Sequence, residues 1–258
     1  MQANTRICNR NDLKKLFRNG EIPTENHFHS LIDSTINKHD DGFLKDEDDG
    51  IVISSSNDTG RFISFFKSID DLDSFFLVER DGQQPESLTF RSQQDSNKNK
   101  DSNTFFFHNT GSLGLGKRSD NKYKLDVKGF AGFEGRVGTY RRGTVPANGK
   151  WQTIIDNLDN CQAFEVVART GLKGKGRFAL LHAIALSTFG HSRNSIRKTS
   201  AHYGFFWNKL RIRWKSNHTH DYALQIKTIR NYGEEVNIYY TIGKLWDDEL
   251  FLPGGYYY

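Results

Sequence analysis

Apolar residues recur through the first forty positions with the spacing of two amphipathic helices. Asn11 and Thr24 stand where N-caps are favoured, Gly20 is suited to end the first helix, and residues 40–42 to end the second. The apolar stripes consist of Leu13, Leu16 and Phe17 on the first helix and of Phe28, Leu31, Ile32 and Ile36 on the second. Helices this short cannot bury such stripes alone, so we expect these residues to assemble with another copy of the chain or with a docking partner.

After about residue 60 the pattern changes to short strands bounded by turn residues. Strands are predicted over residues 62–66, 74–80, 87–91 and 104–108. From about residue 130 the pattern is all β, except for a short helix predicted near 150–158. Residues 178–189 are almost continuously apolar and predict a central strand buried on both faces.

The chain is therefore predicted to be mainly β, with three segments. Residues 1–45 form a helical module suited to oligomerisation or docking, 46–129 a linker with short strands, and 130–258 an all-β C-terminal segment. The regular spacing of short strands in this last segment is typical of a β-sandwich or jelly roll.

Residues 205–215 separate apolar from cationic side chains with a period of two. The apolar positions are Phe206, Leu210, Ile212 and Trp214, and the alternate positions are Phe205, Trp207, Lys209, Arg211, Arg213 and Lys215. Four successive cations on one face repel each other unless an anion lies opposite. This pattern predicts a site for an anionic glycan or another anionic polymer, with Trp207 available to stack on a ring. The alternative is a solvated outer strand whose charges protect it from edge pairing.

Charge is distributed unevenly along the chain, whose net value is +5. Residues 1–60 contain seven Lys and Arg and eleven Asp and Glu, or 7 − 11 = −4. Residues 171–230 contain twelve Lys and Arg and one acid, or 12 − 1 = +11. This asymmetry indicates that the C-terminal part meets something anionic.

Other candidate chemistry is poorly supported. His218 and His220 have no third ligand at a diagnostic spacing, and the Gly- and Lys-rich stretch 171–177 lacks the ending of a phosphate loop and is better explained as a basic hairpin. Asp221 is the one acid in the basic region, which argues against the paired carboxylates of a glycosidase. We predict no catalytic residue, metal or cofactor.

No apolar stretch approaches the length of a membrane helix, about 20 residues, and the first eleven residues are polar. The sequence therefore predicts synthesis in the cytoplasm, without a signal peptide and without membrane insertion.

Three parts of the chain resemble pieces of phage-like structural proteins. Residues 12–24 and 31–42 resemble a short N-terminal module of such proteins. The run 113–116 followed by 123–129 resembles the GIGT…KLDV element that joins shaft to head in trimeric tail fibres, although Lys117 and Arg118 replace the usual small residues. The region from Gly135 to Asp248 resembles the adhesin-like domains found beside that element.

The resemblance implies a tail-fibre or contractile-injection-system adhesin that forms a parallel homotrimer. Residues 1–45 would then be the attachment module that joins other particle proteins, and 46–129 a linker with a shaft-like region. Residues 130–258 would be the receptor-binding head, which binds a cell-surface glycan outside the cell as part of a released particle. Two alternatives stay open: a baseplate or particle component whose basic face docks an acidic protein, and a carbohydrate-active enzyme.

Overall fold

A computed structural model describes residues 8–37, 40–55, 59–68, 70–93, 101–120 and 122–253. The protein is mainly β, as the sequence predicts, and it divides into two compact units, residues 1–131 and 132–258. Within the ranges just given, no helix is both long and apolar enough to cross a membrane.

The first unit begins with helices α1 (Arg10–Leu16) and α2 (Glu25–Asp33). Asn9 rather than Asn11 caps α1, because its side-chain oxygen accepts hydrogen bonds from the Asn11 and Asp12 amides. Thr24 caps α2 as predicted.

Helix α2 is shorter than predicted, and Ile36 lies beyond its end. The hydroxyls of Ser34 and Thr35 donate to the carbonyls of the preceding turn, a local pairing that competes with a continuing helix. None of the side chains predicted to form the oligomerisation stripes is buried, and Phe28, Ile32 and Ile36 are 51–67% exposed. The edge-to-face contact of Phe17 with Phe28 joins the helices, but it leaves most of both stripes open.

Part of the predicted linker is a hairpin of strands β1 (Phe43–Asp46) and β2 (Gly50–Ile53). The Asp46 carboxylate accepts hydrogen bonds from the Asp48 and Asp49 amides and so closes the turn. Gly50 adopts a φ of 73°, which favours glycine.

A six-stranded sheet follows in sequential order. Its strands are β3 (Arg61–Phe65), β4 (Phe76–Arg80), β5 (Leu88–Ser92), β6 (Thr104–Phe107), β7 (Leu113–Leu115) and β8 (Leu125–Val127). Neighbours are antiparallel, except for the parallel pair β7–β8. Strands β3 to β6 confirm the four strands predicted from the sequence.

The glycine element of the fibre pattern forms β7, β8 and the turn between them. A Cβ on Gly114 would lie 2.1 Å from the Lys117 carbonyl oxygen. The close approach that this glycine permits is therefore to its own chain.

Both residues that depart from the fibre pattern make ion pairs. Arg118 donates two hydrogen bonds to Asp81, at 2.7 and 2.8 Å, and a third to Asp101 at 3.0 Å. Lys117 pairs with Asp126 at 2.8 Å. Burial raises the pKa of the Asp81 carboxyl, but the hydrogen bonds from Arg118 and the Gln83 amide more than offset this and leave that pKa below its usual value.

We expect Arg118→Ala to lower the free energy of unfolding of the first unit by about 2–3 kcal/mol, because Asp81 would stay buried without its cation. Far-ultraviolet circular dichroism in urea would measure the change. All four tryptophans lie beyond residue 131, so indole fluorescence serves as an internal reference for the second unit. An unchanged circular dichroism transition would contradict the structural role given to Arg118.

The second unit contains two antiparallel sheets. The five-stranded sheet has the order β13 (Ser195–Tyr203), β12 (Phe178–Ser187), β11 (Gln162–Gly171), β16 (Asn237–Trp246) and β9 (Arg141–Pro146). The three-stranded sheet has the order β10 (Gln152–Leu158), β15 (Asp221–Thr228) and β14 (Leu210–His218). The short helix α3 (Asp248–Phe251) follows β16.

The two sheets enclose one apolar core in a sandwich-like arrangement. The five-stranded sheet supplies Phe164, Val166, Ala168, Leu181, Ala183, Ala185, Ile238, Tyr240 and Ile242. The three-stranded sheet supplies Ile154, Leu210, Ile212, Trp214, Tyr222, Leu224 and Ile226. Trp214 links them, because its ring lies 6.2 Å from that of Phe164 and 5.5 Å from that of Tyr222.

Two sequence predictions for this unit are wrong. The segment predicted as a helix near 150–158 contains strand β10 (Gln152–Leu158) instead, because Ile154, Ile155 and Leu158 fill the core beside β15. Strand β12 is buried on one face only, since its outward side chains, such as Leu180 and Ile184, stay 40–49% exposed.

Candidate functional site

Strand β14 carries the predicted separation of apolar and cationic residues at the edge of the three-stranded sheet. Leu210, Ile212 and Trp214 are buried in the core. Arg211, Arg213 and Lys215 alternate with them and are exposed. The period-two pattern is confirmed over these residues, so the cations can be changed without emptying the core.

The strand does not extend back to residue 205 as predicted. Residues 204–207 form a turn, in which the Asn208 amide donates to the Phe205 carbonyl and the Asn208 side chain to the Tyr203 carbonyl. Phe206 is 70% exposed and does not belong to the core, contrary to the prediction.

The turn gathers aromatic rings around Trp207. Phe205 stacks on the indole at a centroid distance of 4.8 Å, and the Arg230 guanidinium lies over it at 4.1 Å. Trp207 is therefore already covered, unlike the open stacking surface predicted. Phe205 and Phe206, which both pack on Trp207, are 66% and 70% exposed, so these rings rather than the indole are accessible to a ligand.

Cross-strand pairing brings further residues beside the cations of β14. Arg211 pairs with Lys227 of β15, and Arg213 pairs with Gln225, which in turn pairs with Thr153 of β10. We call the outward surface formed by Lys209, Arg211, Arg213, Lys215, Lys227 and Trp151 the basic face.

Arg213 is held in place at the centre of the basic face. Its Nε and Nη2 atoms donate to Gln225 Oε1 at 3.1 and 2.9 Å, and Gln225 Nε2 donates to Thr153 Oγ1 at 3.1 Å. The guanidinium carbon lies 4.2 Å from the centre of the Trp151 ring, and Lys227 Nζ lies 4.9 Å from it. The ring attracts both cations and holds positive charge together before any ligand binds.

No carboxylate among the described residues neutralises the five cations of the basic face. A carboxylate does lie on the outer surface of the five-stranded sheet, where Glu165 contacts both His182 and Arg136, at 2.9 and 2.8 Å. The hydrogen bond with His182 and the charge of Arg136 outweigh desolvation and hold the pKa of Glu165 below its usual value. Cations lacking such partners favour an external anion.

The other candidates do not form a site. His218 ends β14, His220 lies in the following turn, and they approach different carboxylates, those of Asp221 and Asp159. Residues 171–177 connect β11 to β12 as the predicted hairpin. In the part of the chain that the structure describes, no group of three or more His, Cys, Asp or Glu could hold a metal ion.

Sequence reasoning missed Lys227, Gln225 and Trp151. Lys227 could have been found by pairing the two strands on either side of the 217–220 turn, which sets it opposite Arg211. Trp151 could not have been found in this way, because the segment after it was predicted to be helical.

Comparisons of this chain with protein-family models, with curated proteins and with solved structures find no match. The likeness to tail fibres therefore depends on the residues of the chain itself.

Proposed function

We propose that the chain is a non-enzymatic, homotrimeric adhesin of a phage-tail-like particle, and that its head binds an anionic cell-surface glycan through the basic face. The first unit would attach the chain to its particle and to its copies, and the second, a head of the β-sandwich or jelly-roll class, would act outside the cell. The observation that carries this proposal is a surface with five cations and no carboxylate partner in the described structure.

The geometry favours an extended polymer. Residues two apart on one strand lie about 7 Å from each other, so the row of cations from Lys209 to Lys215 is about 20 Å long and could contact an extended ligand over that length. Lys227 widens this row beside Arg211. Several weak ion pairs formed together give useful affinity where single exposed pairs contribute little.

The chemistry of the face favours a glycan over an acidic protein. Protein interfaces are typically apolar at their centres, whereas the centre of the basic face is a linked polar group of Arg213, Gln225 and Thr153. The buried Gln225 holds the other two in place, and the exposed Arg213 and Thr153 offer charge and hydrogen bonds that suit the hydroxyl, carboxylate or sulfate groups of a sugar chain.

Binding of the full chain to a sulfated polysaccharide and to its desulfated counterpart tests the proposal. We expect binding to the sulfated polymer alone, and we expect it to weaken steeply as salt rises from about 0.05 to 0.5 M, because exposed charges are screened within about 10 Å at 0.1 M. Equal binding to both polymers, or none to either, would contradict the proposal. Capture of an acidic particle protein without glycan binding would favour the baseplate alternative, and cleavage of the polymer would favour an enzyme.

A further inference from the structure

One face of the six-stranded sheet in the first unit is apolar across its whole width. Cross-strand partners in a continuous row are Ile63, Val78, Phe90, Phe105, Leu115 and Val127, one from each strand. Two positions from its member of this row, each strand carries a second apolar residue on the same face: Phe65, Phe76, Leu88, Phe107, Leu113 and Leu125. We call these twelve positions the open apolar face. Two further strand residues on the same side of the sheet are polar, Arg80 beside Leu88 and Ser92 beside Phe76.

The open apolar face is accessible to solvent. Six of its twelve side chains, among them Phe105, Phe107 and Leu125, are 37–49% exposed. The opposite face holds the buried apolar residues Leu77 and Phe106 together with buried polar residues, including Thr89 and Thr104. The Arg118 guanidinium lies over the Phe106 ring at 4.6 Å, so the chain itself covers part of that face. Half of the apolar side chains on the open apolar face are exposed instead, whereas a sheet normally buries its apolar face.

The first unit has little core of its own. The buried apolar side chains in the described part of residues 1–131 are Leu77, Val78 and Phe106. The second unit buries more than twenty in one cluster. A unit of this size needs more apolar burial than three side chains provide. Its missing core must therefore come from a partner that is present whenever the chain folds.

We propose that the open apolar face packs against the same face of other copies of this chain. A copy of the chain is the partner that is always present at matching concentration, and closed symmetry lets equivalent faces meet around one axis. The inference rests on the trimeric part of the proposed function and names the surface responsible for it, which the helical stripes predicted from the sequence do not include.

The size of the face agrees with such an interface. Six strands about 4.8 Å apart span about 24 Å. With three partly exposed phenylalanines of roughly 200 Å² each and nine smaller or better covered side chains, the face offers on the order of 700 Å² per copy, near the ~800 Å² that each partner buries in a stable complex. Obligate interfaces between identical chains are also the most apolar ones.

Analytical ultracentrifugation of full-length variants tests the inference. The wild-type chain should sediment as a trimer of 3 × 29.7 kDa, about 89 kDa. Phe105→Lys with Phe107→Lys places two charges on the open apolar face and should give monomers at micromolar concentration. The matched control is Ile184→Lys with Leu186→Lys, which changes two similarly exposed residues with the same spacing on the outer surface of β12 and should leave the trimer intact.

Cross-linking keeps the test decisive if the lysine variant fails to fold. In a chain carrying Cys8→Ser and Cys161→Ser, Phe105→Cys should be joined to other copies by a short bismaleimide, and Ile184→Cys should not. A trimeric wild type in which position 105 does not cross-link and the lysine variant still assembles would overturn this inference alone. A monomeric wild type would overturn both the inference and the trimer, while glycan binding by the head would be judged separately.

Discussion

The double substitution Arg211→Glu with Arg213→Glu is expected to weaken binding to a sulfated polysaccharide by at least about 100-fold, because it replaces two attractive charges at the centre of the basic face with two repulsive ones. The stability of the second unit should change little, since both side chains point away from the core. The loss of the hydrogen bonds between Arg213 and Gln225 should lower the free energy of unfolding by about 1 kcal/mol. Surface plasmon resonance at low salt would measure binding, and indole fluorescence in urea would measure stability.

A matched control separates local charge from net charge. Lys173→Glu with Lys175→Glu makes the same change in net charge on the connection between β11 and β12, whose residues are not part of the basic face. This variant should bind within about threefold of wild type, an effect of the weak long-range field alone. Equal losses in both variants would show that binding responds to total charge and not to a site. Unfolding of the Arg211/Arg213 variant would show that these residues form an internal interface.

Trp214→Ala should lower the free energy of unfolding of the second unit by about 3–5 kcal/mol, the cost of a large cavity left by a buried aromatic ring. The indole touches rings from both sheets, so its loss removes contacts that join them. The three other tryptophans still report unfolding by fluorescence.

Trp214→Phe provides the informative comparison. The Trp214 Nε1 atom is buried without a hydrogen-bond partner among the described residues, so phenylalanine would lose volume but no polar contact. We expect a smaller loss, about 1–2 kcal/mol. A change below 1 kcal/mol for Trp214→Ala would mean that this ring is not part of the core.

Strands with clear alternation could be predicted from the sequence, since local periodicity decides them. Strands β3 to β6 and the alternation of Leu210, Ile212 and Trp214 are examples. The prediction of a helix at residues 150–158 was wrong because Ile154 and Ile155 are adjacent and both buried. A strand with a simple period of two cannot bury two adjacent side chains, but a bulge in the pairing with β15 allows it.

The prediction that the apolar strand β12 is buried on both faces was wrong for a different reason. Its composition correctly indicates a strand inside a sheet, but composition does not tell whether the second face is covered. The open apolar face was missed for the same reason, because strands β3 to β6 were predicted one at a time and their pairing with one another was not. Its character appears only when the register aligns one residue from each strand in a single row.

The residues of the candidate site that lie on one strand were predicted from the sequence, but those that neighbouring strands contribute were not. Lys209 to Lys215 follow one another in sequence, so their common face was evident. Lys227 and Trp151 reach that face through the pairing of β14 with β15 and of β15 with β10, which depends on contacts distant in sequence. Trp207 was predicted to be open for stacking on a ligand, which is wrong because residues 204–207 form a turn in which Phe205 covers the indole. This turn interrupts the alternation of faces on which the prediction was based.

Lysine acetylation with and without a sulfated polysaccharide tests directly whether an anionic glycan lies along the basic face. Mass spectrometry would report the rate at each lysine. We expect the ligand to protect Lys209, Lys215 and Lys227, while Lys173 and Lys175 react at unchanged rates. Protection of Lys173 and Lys175 with free reaction at Lys215 and Lys227 would place the ligand elsewhere and would rule out binding along the basic face.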